Sequence, residues 1–440
     1  MNQRPIAAPI PAVHPQREIL NDEVHARPPE DLANPCRISY LALYSGGLSK
    51  EEQRAPVVEF ARRFNVAPPT EDSNHYRVDL GRFRLRWELH TEFARYTVIV
   101  PEAPTGDIFN RTAIEAVPPE WVASLPGEVL VAAHAALVGQ GLGDWDLDAI
   151  SHRYFDGNPL LGSAIAGGAG TALTDFRIHA DGYSRILAEN RGMNRWQAGR
   201  LMQRLFEIDT YRMLALLTLP VARELAPFLA STERDLASIS KAMEEAGEAD
   251  DPRLLDKLTR LQAAIENRHT ETDYRFSAAR AYYDLVRQRI DELREERIQG
   301  LQTFREFTQR RLAPAMSTCQ TIATRQDSLS ERVARATQLL STRVEVSRSR
   351  QNQEVLDSMN RRVEMQLRLQ ETVEGLSIAA ISYYVVSLVG YAVKGAAAGG
   401  FPINPDLVMG LSIPVVIVLI ALGVRQVRKS LPIPTENWRA

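Results

Sequence analysis

GLSIAAISYYVVSLVGYAV, residues 375–393, and LVMGLSIPVVIVLIALGV, residues 407–424, carry no formal charge, and each is about one bilayer span long. Between them lie residues 394–406, rich in Gly, Ala and Pro, with Lys394 and Asp406 as the only charges. Lipid offers no partner for irregular backbone, so two such spans on so short a link predict a hairpin of transmembrane helices. The alternative is a buried hairpin in a soluble protein. Pro414 interrupts the second span, and proline is tolerated in membrane helices. Arg361, Arg362 and Arg368 precede the first span, and Arg425, Arg428 and Lys429 follow the second. The positive-inside rule then places both termini in the cytoplasm and the loop outside.

Upstream of the first span, residues 193–374 are rich in Arg, Glu, Gln, Leu and Ala and poor in Gly. They read as three long antiparallel helices, over about 194–246 with a break near Pro220, 252–312, and 314–374 with Pro314 in the first turn. Along the third, Ile322, Leu329, Val333, Ala336, Leu340 and Val344 recur at helical spacing, and Val355, Met359, Val363 and Leu367 resume after a polar gap. No polar linker separates this helix from the span, so it predicts a stalk of roughly 90 Å entering the membrane directly. One copy would expose the apolar stripe, which predicts a homo-oligomer.

Residues 16–192 mix the two periodicities. ISYLALY (38–44) reads as a strand, Ser49 with Glu52 or Gln53 opens a helix to about Phe64, and 79–90 alternates. There Phe83, Leu85, Trp87 and Leu89 share one face, and Arg82, Arg84, Arg86, Glu88 and His90 the other. Residues 96–100, 128–138 and 176–186 are further strand candidates, which makes an α/β or α+β domain. Residues 1–15 hold four prolines and no apolar run, so they read as a flexible lead-in rather than a secretory signal. Residues 425–440 form a cytoplasmic basic tail. A net charge of -3 over 440 residues gives no basic excess for nucleic acid. Cys36 and Cys319 match no metal or redox spacing and read as reduced, buried thiols.

The order of these parts resembles the CorA-type divalent-cation transporters, with an α/β domain, long helices, a stalk running into the first span, a short outer loop and a basic tail. Tyr391-Ala392-Val393-Lys394-Gly395 stands where that family has Gly-Met-Asn. The resemblance implies a homo-oligomer, pentameric by analogy, that moves or senses an ion, with a divalent cation such as Mg2+ as the bound species. Three longer strings are similar to a family of uncharacterised bacterial membrane-anchored proteins, domain of unknown function 3422. They are Leu20-Asn21-Asp22-Glu23-Val24-His25-Ala26-Arg27-Pro28-Pro29, Thr174-Asp175-Phe176-Arg177-Ile178-His179 and Leu219-Pro220-Val221-Ala222-Arg223-Glu224-Leu225. That resemblance implies a bacterial inner-membrane location and brings no activity with it.

Several constellations carry chemistry, each with a plainer reading beside it. Ser377, Tyr384 and Tyr391 fall seven apart with Ser387 beside them, a polar stripe that lines a pore or hydrogen-bonds a neighbouring helix. Lys394 would put a ring of positive charge at the outer mouth of an oligomer, which Asp406 could neutralise, or would snorkel as an anchor. Glu244, Glu245, Glu248, Asp250 and Asp251 make a candidate Mg2+ or Ca2+ sensing site, or a solvated helix tip. Glu23, His25, Arg27, Pro28 and Pro29 form a loop that could bind an anion, act as a pH latch, or clamp the N-terminal segment. Residues 166–171, Ala-Gly-Gly-Ala-Gly-Thr, lack a phosphate-binding lysine and read as a turn or bulge. The Arg82, Arg84, Arg86 face could meet a phosphate or lie in solvent. No motif assembles a nucleophile with its base, so the expectation is a protein that is not an enzyme.

Overall fold

Eight of the nine residues of β1 (Cys36–Tyr44) are buried, so the side chains it sends alternately to either side are covered on both faces. The structure is a computed structural model that describes residues 11–18, 20–21, 29–102, 107–139, 146–245, 247–400, 402 and 404–430. The chain divides into two units, Met1–Glu245 with Arg253–Thr337, and Ala246–Pro252 with Gln338–Ala440.

The first unit is built on β1 with β2 (His75–Asp79), β3 (Arg84–Leu89), β4 (Phe93–Val100), β5 (Glu128–Gly139), β6 (Leu161–Ile165), β7 (Gly170–Thr174), β8 (Ser184–Asn190) and β9 (Glu296–Arg297). They form one mixed sheet in the order β2-β3-β4-β1-β5-β8-β7-β6-β9, in which β5 and β8 run parallel. Helix α1 (Lys50–Arg63) starts as the sequence predicts, with Ser49 and Glu52 closing a capping box. It lays Val57 and Phe60 on Leu85, Trp87 and Tyr96, joined by Trp121 of α2 (Pro119–Ala123). Helix α3 (Leu147–Tyr154) packs Ile150 and Tyr154 on Ala136, Val138 and Leu187. Helix α4 (Arg195–Leu216) covers the opposite face of β1, where Phe206 stacks on Tyr40 at 4.5 Å.

Helices α5 (Thr218–Glu245), α6 (Asp251–Leu293), α7 (Phe304–Arg311), α8 (Ala313–Ala398) and α9 (Pro405–Ser430) follow. The break expected near Pro220 falls at Leu217, between α4 and α5. Within the first unit α5, α6 and α8 pack together, burying Leu229, Ile265, Leu329 and Val333. Arg325 of α8 grips Glu233 of α5, and Ser330 of α8 donates to Glu266 of α6 at 2.7 Å.

Four expectations change. The strand predicted over 79–90 is a hairpin end, because Asp79 accepts the Gly81 N–H at 2.8 Å and turns the chain before β3. The strand predicted over 176–186 begins only at Ser184, because Thr174 and Asp175 side chains accept the N–H groups of Phe176 and Arg177 and hold a loop. The helix predicted over 252–312 stops at Leu293, since Arg294 and Gly300 take left-handed backbone angles. It resumes as α7 behind a capping box of Thr303 and Glu306. The apolar stripe of α8 is half satisfied within the chain. Ile322, Leu329, Val333, Leu340 and Val344 are buried, whereas Val355, Met359, Val363 and Leu367 are exposed.

In the second unit α8 continues without a break through the first uncharged stretch and is 86 residues long. Only residues 399–404 separate it from α9. The chain doubles back there, because Gly390 of α8 lies against the Met409 side chain of α9. Among the described residues, three helical stretches are long and apolar enough to cross a membrane, Arg195–Glu245, Ala313–Ala398 and Pro405–Gln426. Their apolar windows are 33%, 11% and 6% buried respectively, so protein already covers much of the first and almost none of the other two.

Candidate functional site

The side of β3 predicted to meet solvent or phosphate is buried instead. Arg84 and Glu88 are buried, Arg86 is half-buried, and only Arg82 is exposed, its guanidinium over the rings of Phe64 and Phe83. What covers them is the segment that follows the N-terminal signature. Glu30 and Asp31 pair with Arg84 at 3.2 and 2.8 Å and with Arg77 at 3.1 Å. Glu88 takes both Arg86 and Arg95, and Arg95 reaches Glu207 of α4 at 3.2 Å. Arg289 of α6 closes the chain on the same Glu207. Burial raises the energy of an ionised Glu88, but Arg95 and Arg86 more than reverse this and hold its carboxyl at about 2. Glu207 is likewise driven down, its burial outweighed by Arg95 and Arg289. Every charge in this layer has a counter-charge, which makes it a clamp across sheet, helix and N-terminal segment.

Of the signature loop, Glu23, His25, Arg27 and Pro28 lie outside the described residues. Pro29 is half-buried at the edge of the clamp. The second signature string makes another clamp. His179 sits between Asp156 at 2.8 Å and the fully buried Asp175 at 3.0 Å, and Asn158 donates to Asp175 at 2.9 Å.

Sequence reasoning missed one arrangement. Ser39 and His134 are paired neighbours on β1 and β5, with Ser39 Oγ 2.9 Å from His134 Nδ1 and Asp181 3.9 Å from His134 Nε2. Three positions so far apart in sequence give no local signal. The order serine, histidine, carboxylate is that of a nucleophile and its base. Here, however, Ser39 is 1% exposed, its Oγ accepts the Ile114 N–H at 2.9 Å, and Tyr183 stacks on the imidazole at 3.8 Å. Burial pushes His134 down to about 4, with Asp181 opposing only in part, so the ring is neutral. The hydroxyl is tied and sealed, and the group staples two strands.

The acidic residues fall on both units. Glu244 and Glu245 end α5, with Glu245 3.7 Å from Lys241. In the second unit Glu248 accepts from Ser347 at 3.1 Å, Asp250 is exposed, and Asp251 is buried 3.2 Å from Arg343. Among the described residues no three His, Cys, Asp or Glu side chains gather as a metal site. Of the five carboxylates predicted to hold a cation, Glu245, Glu248 and Asp251 have lysine, serine and arginine partners.

On α8, Ser377, Tyr384 and Tyr391 share an exposed face, with Ser387 half-buried at its edge and Lys394 exposed. Ser377 donates to its own helix at Val373 O, 2.7 Å away. The face turned to α9 is a different one and holds Ser382 and Gly390.

A mixed sheet carried on long helices, two of which are apolar and uncovered, defines the class. The chain belongs to the family described as "Protein of unknown function (DUF3422)", whose profile matches residues 12–431. Comparison with curated proteins gives no match.

Proposed function

We propose that the chain is a multi-pass inner-membrane protein whose helices α8 and α9 anchor a cytoplasmic sheet domain to the bilayer as a platform for other molecules, with both termini inside. The observation that carries this reading is the exposure of apolar side chains such as Leu388, Val415 and Leu419 on the uncharged stretches of two helices that only six residues separate. The flanking arginines favour the inward termini. The test is cysteine labelling at Asn404→Cys in full-length protein carrying Cys36→Ser and Cys319→Ser. A membrane-impermeant maleimide should label it from outside intact cells, and labelling only after lysis would reject the orientation.

A second reading, favoured by the uncovered Ser377, Tyr384, Tyr391 face, is a CorA-like oligomer that conducts or senses an ion along that face. Flux into liposomes that falls in Ser387→Leu supports it. No flux in either protein leaves the anchored platform.

A further inference from the structure

We propose that α8 associates in parallel with further copies of this chain through one continuous seam from Leu356 to Lys394. The proposal rests on the membrane reading above and names the partner that the second unit fits. Leu356, Val363, Gln370, Ser377, Tyr384 and Tyr391 recur at every seventh residue. Met359, Gln366, Val373, Ala380, Ser387 and Lys394 recur in the same register, three positions later. This is the a and d pattern of a coiled coil, unbroken from the charged part of the helix into the uncharged part.

All twelve positions except the half-buried Ser387 are exposed. At 100° per residue, Ala380, Tyr384 and Tyr391 lie about opposite the face that carries Ser382 and Gly390, so α9 cannot cover them. The seam also mismatches each solvent in part. Where Arg361, Arg362, Glu364 and Arg368 mark water, it offers Leu356, Met359 and Val363 beside Gln366 and Gln370. Within the uncharged span it offers Tyr384, Ser387 and Tyr391 beside Ala380 and Ser377, whose hydroxyl bonds its own helix, and a tyrosine hydroxyl without a partner is costly in lipid. Identical parallel helices meeting along the seam resolve both mismatches at once, because apolar groups leave water and hydroxyls find one another. A protein partner without a matching membrane helix would cover only the wet half. Val355, Leu367, Leu369 and Leu376 flank the seam and widen its apolar face beyond that of a two-stranded coil, which points to more than two copies. A strict seven-residue repeat on a helix of 3.6 residues per turn also requires a left-handed supercoil.

The test uses full-length protein in native membranes, with Cys36→Ser and Cys319→Ser, and one new cysteine at a time. Val363→Cys, Val373→Cys and Tyr384→Cys sit on the seam, while Arg361→Cys and Arg368→Cys sit on the outer face. Mild oxidation should cross-link the seam variants at least about fivefold faster than the outer ones. Equal rates at all five sites, or no cross-linking in protein that sediments with membranes, overturns the seam and leaves the anchor standing. Protein recovered in the soluble fraction overturns the membrane reading, and the seam with it.

Discussion

At the scale of single residues, the buried charges of the sheet domain set its response to acid. Glu88 titrates at about 2 in the folded protein against an ordinary 4.5. A depressed carboxylate binds fewer protons folded than unfolded, so its contribution is complete above about pH 4.5 and is lost as pH falls towards 2. Glu88→Gln leaves the buried Arg95 and the half-buried Arg86 short of counter-charge and should cost about 3–5 kcal/mol, read as a lowered unfolding midpoint at neutral pH. His134 acts in the same direction in a milder window. Its folded value of about 4 lies below the ordinary 6.5, so the unfolded chain binds the proton more readily and stability falls as pH drops between those values. Replacing it by glutamine, which keeps a polar partner for Ser39, should flatten the pH profile between 4 and 6.5. An unchanged slope would place the titration elsewhere.

At the scale of elements, α4 and the segment at residues 29–32 depend on one glycine. A Cβ on Gly199 would lie 1.7 Å from the Glu30 carbonyl oxygen, and Leu32 N–H donates to Arg195 O at 3.1 Å beside it. Gly199→Ala should therefore push the segment off the helix at a cost of about 1–3 kcal/mol, with protease cleavage near residues 29–32 as the readout. The cap of α1 is a smaller and more local device. Ser49→Ala removes the side-chain acceptor for Glu52 N–H and should cost about 1 kcal/mol, with no change in the acid profile set by Glu88.

At the scale of the whole molecule, the proposed anchoring turns on the transfer of the apolar stretches of α8 and α9 into lipid. Val418 is exposed midway along α9, and Val418→Arg should cost about 2.5–3.5 kcal/mol of insertion. The expected outcome is a larger share of the full-length chain released by alkaline extraction of membranes. Leu339→Arg, at an exposed position of α8 well before the span, should leave that share unchanged. Equal release in both variants would argue that Val418 meets no lipid.

Local patterns in the sequence determined the parts of this protein. A capping box at Ser49, short apolar runs at β1, β4 and β5, and two chargeless runs of bilayer length each name an element from its own residues, because helix, strand and span are local solutions to hydrogen bonding and solvent. The Thr303-x-x-Glu306 cap and Gly300 were legible too, and mark the break that a reading of one helix over 252–312 passes across. Tertiary structure alone decided which polar groups are buried. The arginines of β3 alternate as a solvated face would, yet α4 and Glu30 cover them, because their counter-charges arrive from Glu30 and Asp31, far off in the chain, and from Glu88, which Arg95 also holds. Ser39, His134 and Asp181 likewise meet only when β1 and β5 pair. Spacing along a chain records periodicity, whereas pairing between distant charges is fixed by the packing that removes them from water.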